Sequence, residues 1–524
     1  MEVAGRPTVV ALEVPLYRSV HQSTRAQSAP RARWRGAVLP LLLALLAGHF
    51  VVVQLLTGAQ FLDAPRNMHW GLLTWEQPGF LSGLPDTYER IKGFPPDPPQ
   101  LGPMGLWRHP YGSLHPWWGP LTPGLFALVW GVSRSYTLVQ LVIPLAAGAT
   151  VLLTYWMGRA LLGGHAAVVA AIFLSLYPLF REYGSVAYNE ALGALVLSGA
   201  LFAYLRGRTV AATLAGALAA LTKMDLLALY TGTVALSALY DRFAGRRELS
   251  WRHHIVCLVA PLVLAAPWIW GHYLGGGART PTRGLSWELF TIIFPMMVEL
   301  TLYIPWYGVA LTLGVIGAVI AYGLRAGALP RLTAVALGVW TALGLLVVLV
   351  YCATPGAGNS PRIFVPALPP LALLFGAGFA RLPLAWRRRV GLYLGALFLV
   401  INGFVIWYQA TAYGAPIRAA APAFSELRQR EPGFVLTPIY WETILYTRQR
   451  ATWFEADEVF RDHIMGDAGN FARYVERHPI RYVLLPNATS GPGPRDPAAP
   501  AVRAYLDANA TRIDAGAWTL WVLP

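Results

Sequence analysis

The stretch LTAVALGVWTALGLLVVLVY at residues 332–351 carries no charged side chain over 20 consecutive positions. An α-helix of that length crosses the hydrocarbon core of a bilayer, so the stretch predicts a transmembrane helix. Comparable apolar runs lie at 37–57, 136–157, 165–180, 188–205, 209–222, 226–240, 254–273, 299–323, 363–380 and 390–408. Together they predict a polytopic α-helical membrane protein with about eleven transmembrane helices.

The composition of the whole chain agrees with this fold class. Of its 524 residues, 56% are hydrophobic and 13% are charged, and the mean hydropathy is +0.47. An ordinary soluble domain carries about 25% charged residues. A chain this apolar cannot bury its surface in one soluble core, which excludes a simple soluble enzyme, a disordered regulator and a disulfide scaffold.

The net charge of +15 is explained by membrane topology. If the N-terminus lies in the cytoplasm, the inside segments hold 19 arginines and the short outside loops hold five basic residues. This is the asymmetry of the positive-inside rule. No basic run is interleaved with aromatic residues, so no nucleic-acid partner is expected. Cys257 and Cys352 fall at opposite membrane faces and should not form a disulfide.

Three segments are expected along the chain. They are a cytoplasmic tail at 1–36, a transmembrane domain at 37–408 with a long first outer loop at 58–135, and an extracytoplasmic α/β domain at 409–524. The last segment alternates short apolar runs with amphipathic ones, which predicts strands and helices. Its strands are expected in GFVLTP and IRYVLLP, its helices in FARYVERH and AVRAYLDANA, and a closing hairpin in TRIDAG and WTLWVLP.

Ionisable side chains at a membrane edge are costly, which makes them candidates for function. On the predicted outer face they converge: Asp63, Asp86, Glu89, Arg181, Glu182, Glu190, Lys223, Asp225, Arg279, Arg283 and Arg362. Carboxylates can accept a proton from an acceptor group, and arginine or lysine can hold a phosphate leaving group. The pattern favours group transfer from a lipid phosphate at the outer leaflet.

Several loose motifs occur together with these charges. They are SLHPWWGPLTPGLFAL at 113–128, YNEALGAL at 188–195, AGALAALTK at 215–223 and RIFVPALPP at 362–370. Their order and membrane side resemble the GT-C superfamily of polyprenyl-phosphate-sugar glycosyltransferases. The chain looks most like the branch that contains protein O-mannosyltransferases and lipid A aminoarabinose transferases, and the resemblance covers most of its length.

The resemblance implies an essential acid in the first outer loop, acting as the general base that activates the acceptor. Asp63 matches its position, but Ala64 follows where many members have the second acid of a pair. The sequence Asp86-Thr87-Tyr88-Glu89 resembles the paired pattern and lies nearer to His115. Asp63, Asp86 and Glu89 therefore remain alternatives for the base, with Tyr88 as a further substrate-site candidate.

Other positions are carried over from the resemblance. Glu190 matches a second acid, and Lys223 and Arg362 match residues that contact the donor phosphate. The remaining candidates are Arg279 or Arg283 as a second phosphate contact, and Arg181, Glu182 and His115 as substrate-site residues. No protein metal site is predicted and no cofactor is expected, although some relatives use a divalent metal.

Structural explanations compete with each role. Asp63 can be a solvated loop acid, and Glu190 can form a helix-end ion pair with Arg181 or Lys223. Arg362 can be an interface anchor, and His115 can be a structural residue.

The function expected is a membrane glycosyltransferase. It would move a sugar from a polyprenyl-phosphate donor to an extracytoplasmic acceptor, which is a protein, a lipid or an envelope glycan, with inversion. The location expected is a multi-pass position in a bacterial inner membrane, with the N-terminus in the cytoplasm. The alternatives are a transporter or flippase of a lipid-linked substrate and a non-catalytic envelope-assembly protein. A transporter would show internal repeats and polar residues at the membrane midplane, which the sequence does not display.

Overall fold

The computed structural model describes residues 32–60, 63–76, 119–244, 248–269, 285–354, 361–452, 464–477, 480–487 and 498–524. The chain divides into two compact units, Met1–Leu42 and Leu43–Pro524. The first is described only through the opening turns of the helix Ala32–Thr57, and everything below concerns the second.

Helices make up most of the described chain before the tail. Their bounds are Ala32–Thr57, Asp63–Glu76, Leu121–Ser133, Tyr136–Gln140, Val142–Leu161, Gly164–Leu176, Pro178–Gly184, Asn189–Leu205, Thr209–Thr222, Met224–Phe243, Trp251–Ile269, Trp287–Leu302, Trp306–Arg325, Arg331–Ala353, Leu368–Arg381 and Leu384–Tyr408. A 3₁₀ helix, Pro361–Ala367, leads into Leu368–Arg381. A π-helical turn, Gln409–Gly414, continues the last long helix into Ala415–Ala419 and Ala421–Gln429. The predicted domain boundary at 409 thus falls within a continuous helical stretch.

Within the described residues, every predicted span overlaps a helix or a broken helix. Within the described ranges, seven helical segments are long and apolar enough to cross a membrane, and the bent pair Gly164–Leu176 and Pro178–Gly184 makes an eighth. The spans predicted at 188–205 and 209–222 are apolar helices of 17 and 14 residues. The span predicted at 226–240 lies in a 20-residue helix that carries charges near both ends. The prediction of a polytopic α-helical membrane protein is confirmed.

Three helices before the tail were not predicted from hydropathy. Asp63–Glu76 and Leu121–Ser133 lie in the segment expected to be the first outer loop. Trp287–Leu302 ends at Tyr303, whose φ of 55° breaks the helix, and the next helix begins only at Trp306. The span predicted at 299–323 was therefore placed too early. The preceding helix, Trp287–Leu302, contains glutamate and proline residues that lower its hydropathy, which explains the error.

The helix Leu368–Arg381 lies at the centre of the helical part. It packs between Gly164–Leu176 and Trp306–Arg325. A Cβ placed on Gly378 would lie only 2.1 Å from the carbonyl oxygen of Val319. Glycine thus allows two helix backbones to meet directly, as is common where membrane helices pack.

The tail contains a five-stranded sheet. Its strands are β1 Phe434–Leu436, β2 Arg450–Thr452, β3 Ile480–Pro486, β4 Thr511–Ala515 and β5 Trp518–Val522. Their order is β2-β1-β3-β5-β4, in which β1 runs parallel to β2 and β3, and β5 runs antiparallel to β3 and β4. The predicted strands and closing hairpin are therefore present, and β2 is an addition.

Alternation along β5 gives the sheet two apolar faces. Trp518 packs into a cluster with the helices Tyr440–Thr447 and Ala421–Gln429. Trp521 packs into the opposite cluster, with Ala468–Arg477 and Pro500–Asn509. Side chains of a strand point alternately to the two faces, so a single hairpin strand contributes a buried tryptophan to each.

Candidate active site

Glu190 lies in the first turn of the helix Asn189–Leu205, where the positive end of the helix dipole favours a carboxylate. Its side chain is only 1% exposed. Neither carboxylate oxygen has a hydrogen-bond partner among the described residues. Two cations nevertheless lie nearby, so the carboxylate is held by charge and not by directed hydrogen bonds.

Lys223 supplies the first cation. It is a single extended residue between the helices Thr209–Thr222 and Met224–Phe243, with φ of −164° and ψ of 140°. Its Nζ lies 3.0 Å from Asp225 Oδ2 and 3.7 Å from Glu190 Oε1. The break between the two helices thus holds an ammonium group between two carboxylates.

Arg362 supplies the second cation. It follows Pro361 at the start of the 3₁₀ helix, and its Nε lies 3.5 Å from Glu190 Oε1. Its guanidinium carbon lies 4.7 Å from the centre of the Tyr188 ring. This is a cation–π contact, which fixes the position of the guanidinium while leaving its N–H groups able to donate.

We call Glu190, Lys223, Asp225 and Arg362 the Glu190 cluster. Its side chains are between 1% and 20% exposed. Two acids and two bases give a net charge of zero when all are ionised. The phenol of Tyr351, near the end of the helix Arg331–Ala353, lies within electrostatic range of all four. Because Glu190 forms only long ion pairs with Lys223 and Arg362, an incoming anion can compete for its contacts with these two cations.

The helix that begins at Asp63 lies against the segment that leads into Glu190. Asn67, one turn after Asp63, donates from its Nδ2 to the carbonyl oxygen of Ala187 at 3.1 Å. The amide of Ala187 in turn donates to Gln60 Oε1 at 3.1 Å. The helix that begins at Asp63 is thereby joined to the chain three residues before Glu190, whereas the side chain of Asp63 lies outside the described part of the structure.

Gly119, within the predicted first outer loop, lies beside Thr222, the residue before Lys223. The amide of Gly119 donates to the carbonyl oxygen of Thr222 at 2.8 Å. A Cβ on Gly119 would lie only 1.8 Å from the carbonyl oxygen of Leu221. Only glycine therefore allows the chain after the HPWW sequence to approach the residue before Lys223.

The structure brings together three of the predicted site residues, Glu190, Lys223 and Arg362. Arg181 and Glu182 are buried in the helix Pro178–Gly184 and form no ion pair with the cluster. The others lie outside the described residues and their positions stay predictions: Asp86, Tyr88, Glu89, His115, Arg279 and Arg283. Cys257 and Cys352 are both free, as expected.

Sequence reasoning missed several contributors. Asn67 and Gln60 carry no signal, because they act through long-range contacts with backbone. Tyr351 ends an apolar span, where an aromatic residue is ordinarily read as an interface anchor. Tyr188 offered a signal, since it directly precedes a membrane-edge acid at the start of a helix.

A second polar cluster lies at the other ends of the same helices. The Asp241 carboxylate accepts the amides of Glu248 at 2.9 Å and Leu249 at 3.1 Å, and lies 3.2 Å from His254 Nε2. The opposite ring nitrogen of His254 lies 2.9 Å from the Tyr204 hydroxyl. We call this the Asp241 cluster. Because both oxygens of the Asp241 carboxylate accept hydrogen bonds, the arrangement is typical of a cluster that stabilises the fold. The Glu190 carboxylate, by contrast, has no hydrogen bond among the described residues.

Within the described ranges, no group of three or more histidine, cysteine, aspartate or glutamate side chains could hold a metal ion. The first-loop acids Asp86 and Glu89 lie outside the described ranges. The chemistry that the cluster can support on its own residues is charge-assisted binding of an anion.

Similar folds occur among solved structures. The chain matches ArnT from Cupriavidus metallidurans in the apo state with a TM-score of 0.61 and 14% identity, over 93% of this chain and 98% of that one. It matches the same protein bound to undecaprenyl phosphate with a TM-score of 0.58 and 14% identity, over 92% and 97%. It matches the archaeal oligosaccharyltransferase AglB from Archaeoglobus fulgidus, in complex with an inhibitory peptide and a dolichol-phosphate, with a TM-score of 0.53 and 12% identity, over 87% and 70%.

No known protein-family profile matches the sequence, and no curated protein sequence matches it. At such low identity the structural likeness establishes the fold. The chain has the fold of GT-C membrane glycosyltransferases, and the resemblance read from the sequence is confirmed at that level. It is a multi-pass integral membrane protein.

Proposed function

We propose that this chain is a membrane glycosyltransferase that uses a polyprenyl-phosphate sugar as donor. The observation that carries the proposal is the Glu190 cluster, in which two cations flank one buried carboxylate in a GT-C fold. Crystallised ArnT was bound to undecaprenyl phosphate and AglB to a dolichol-phosphate. Proteins of this fold thus bind lipid phosphates, which supports the same donor class here.

Lys223 and Arg362 would hold the oxygens of the donor phosphate. In the structure their contacts with Glu190 are 3.7 Å and 3.5 Å, whereas Lys223 is only 3.0 Å from Asp225. A donor phosphate would therefore compete with Glu190 for these two longer contacts. The same cations would stabilise the negative charge that grows on the leaving phosphate as the sugar bond breaks.

The reaction proposed is a direct displacement. An acceptor hydroxyl or amine attacks the anomeric carbon and forms the new bond as the bond from that carbon to the phosphate oxygen breaks. The acceptor proton passes to a carboxylate, and polyprenyl phosphate leaves. One displacement inverts the anomeric configuration. Asp63 is the favoured base because Asn67 fixes its helix beside the cluster, and Asp86 and Glu89 are the alternatives.

The arginine distribution supports placing the N-terminus in the cytoplasm, and the Glu190 cluster and the tail sheet on the outer side. The acceptor would then be an extracytoplasmic protein, lipid or envelope glycan. A bacterial inner membrane is the location that this arrangement suits.

The test is a transfer assay with the purified full chain and a panel of radiolabelled polyprenyl-phosphate sugars and acceptors. We expect transfer with at least one donor, and its loss in Asp63→Asn but not in Asp86→Asn or Glu89→Gln. Glu426→Gln, a half-exposed surface acid, is the control. Loss in Asp86→Asn or Glu89→Gln with retention in Asp63→Asn would reassign the base. No transfer over the whole panel would favour a transporter or an assembly protein.

A further inference from the structure

Arg181 is the least compensated charge in the described helices. It lies in Pro178–Gly184, the short helix that bends by 65° from Gly164–Leu176, and it is 1% exposed. Its Nε, Nη1 and Nη2 have no hydrogen-bond partner in the part of the chain that the structure describes. A guanidinium remains charged in proteins, so this burial leaves a positive charge without a hydrogen-bond or ion-pair partner in the described structure.

The adjacent acid does not neutralise it. Residues one apart on a helix point about 100° away from each other, which directs Glu182 to a different side. Consistent with this, the described residues show no ion pair between Arg181 and Glu182, and Glu182 Oε2 has no hydrogen-bond partner there either. Both groups feel each other's charge without being joined.

Other polar atoms near this helix also lack partners within the described ranges. The Tyr177 hydroxyl lies at the bend itself and is fully buried. The amide nitrogen and oxygen of Gln409 are also buried without a hydrogen-bond partner among the described residues. Gln409 begins the π-helical turn that continues Leu384–Tyr408. That long helix packs against Pro178–Gly184. π-helical turns inside long helices are frequent at functional sites.

Arg181 forms no ion pair with the Glu190 cluster in the described structure, although its short helix packs against the 3₁₀ helix that carries Arg362. The acids of the Glu190 cluster lie within 3.7 Å of Lys223 or Arg362. The Arg181 guanidinium, by contrast, has no ion-pair or hydrogen-bond partner among the described residues.

We propose that Arg181 is a second anion-binding site, which takes the phosphate group of a membrane lipid. The planar guanidinium fork matches two phosphate oxygens, and Tyr177, four residues before Arg181, carries a hydroxyl that can donate to a third. The helices around it are membrane spans, so a ligand that arrives from the bilayer carries its phosphate on an apolar chain. The Arg181 site goes beyond the transfer reaction, and only the expected count of two bound lipids rests on the proposed donor site at Lys223.

The test is native mass spectrometry and thermal unfolding of the full chain in detergent. The probes, used separately, are geranylgeranyl phosphate, dioleoyl phosphatidylglycerol and inorganic phosphate. We expect wild type to bind two geranylgeranyl phosphates, and both Arg181→Met and Lys223→Gln to bind one, with the lost site weakened at least about tenfold. The other two probes show whether a phosphodiester headgroup or free phosphate also occupies the Arg181 site.

The unfolding temperature gives an independent test, because Arg181→Met should weaken lipid binding but raise the stability of the lipid-free protein. Without lipid, Arg181→Met should unfold at a higher temperature than wild type, because it removes an uncompensated buried charge. A structural ion-pair role predicts the reverse. Arg159→Gln, an exposed arginine at a helix end, should change neither measurement. Unchanged binding of all three probes in a folded Arg181→Met protein, or its destabilisation without lipid, would overturn the proposal.

Discussion

Glu190 is a carboxylate that attracts two cations without a hydrogen bond of its own in the described structure. Asp241, in the second cluster, is bonded to two backbone amides and lies beside a histidine ring. The contrast distinguishes a carboxylate whose ion pairs an incoming anion can replace from one that hydrogen bonds hold in place. Burial alone would not distinguish them, since both acids are almost fully buried.

Glu190→Gln keeps the shape of the side chain and removes its charge. Lys223 and Arg362 then have one acid fewer between them, so we expect polyprenyl phosphate to bind about tenfold or more tightly and the turnover rate to fall as product leaves more slowly. Product inhibition and single-turnover kinetics measure the two effects. Glu426→Gln should match wild type. Weaker product binding in Glu190→Gln would contradict this account.

Tyr188 should act by positioning Arg362. Tyr188→Phe keeps the ring face and should leave the donor KM near the wild-type value. Tyr188→Leu loses the cation–π contact, worth about 0.5–2 kcal/mol, and should raise the donor KM several-fold with a smaller change in kcat. Equal effects of the two variants would show that the hydroxyl, and not the ring face, is what matters.

His69 gives the fold a dependence on pH. Burial, and then the charge of Arg448, lowers its pKa from 6.5 to about 3. The unfolded chain takes up a proton below pH 6.5 that the folded chain refuses, so stability falls as the pH decreases below that value, by up to about 1.4 kcal/mol per pH unit. His69→Gln should flatten the fall in unfolding temperature between pH 6.5 and 4, and the exposed His165→Gln should not.

At the residue scale, the sequence identified the ionisable side chains at the edges of apolar runs, where a charge is energetically costly, as candidates for the site. Glu190, Lys223 and Arg362 were found in this way, because a charge at the edge of an apolar run is visible without a fold. Asn67 and Tyr351 were not, because an amide in a loop and an aromatic residue at a span end are common. Their relevance depends on which distant backbone or charge they meet.

At the element scale, Gly119 packs the predicted first outer loop against the end of the helix Thr209–Thr222. Gly119→Ala would drive its Cβ into the backbone of Leu221, which cannot move aside as a side chain can. We expect a loss of about 1–3 kcal/mol or more and a strong fall in activity. Gly124→Ala, with nothing within 4 Å of the added carbon, is the matched control. Yield, unfolding temperature and transfer activity of the two variants decide the matter.

Helices and strands were predictable where a single period governs the sequence. The apolar runs gave the long helices, and alternation gave the tail hairpin. The helix Trp287–Leu302 was missed because Glu288, Pro295 and Glu299 interrupt its apolar character, although Ser286 caps it by accepting from the amide of Leu289. The three-residue β2 forms because β1 lies beside it, which is a tertiary effect.

At the scale of the whole molecule, the two polar clusters lie at opposite ends of shared helices. Asp241→Asn should cost several kcal/mol, because it leaves His254 and two backbone amides with a poorer partner. We expect a lower unfolding temperature with the donor KM little changed. A change in KM without a loss of stability would instead assign the Asp241 cluster to the reaction.

The tail is also tied to the first loop at this scale. The helix Tyr440–Thr447 packs against Asp63–Glu76, and the Arg448 guanidinium lies 5.5 Å from the centre of the Trp130 ring. The sequence indicated an α/β tail but not where it would dock. One of the contacts that dock the tail joins an arginine and a tryptophan more than 300 positions apart, and no local pattern records such a pair.

The joint at Lys223 has a consequence for how the chain can vary in length. A single residue connects two long helices there, with no slack on either side. One inserted residue would turn the second helix by about 100° and shift it by about 1.5 Å, which carries Asp225 away from the ammonium group. Insertions and deletions at this joint should therefore be lost from a mutational library even where substitutions survive.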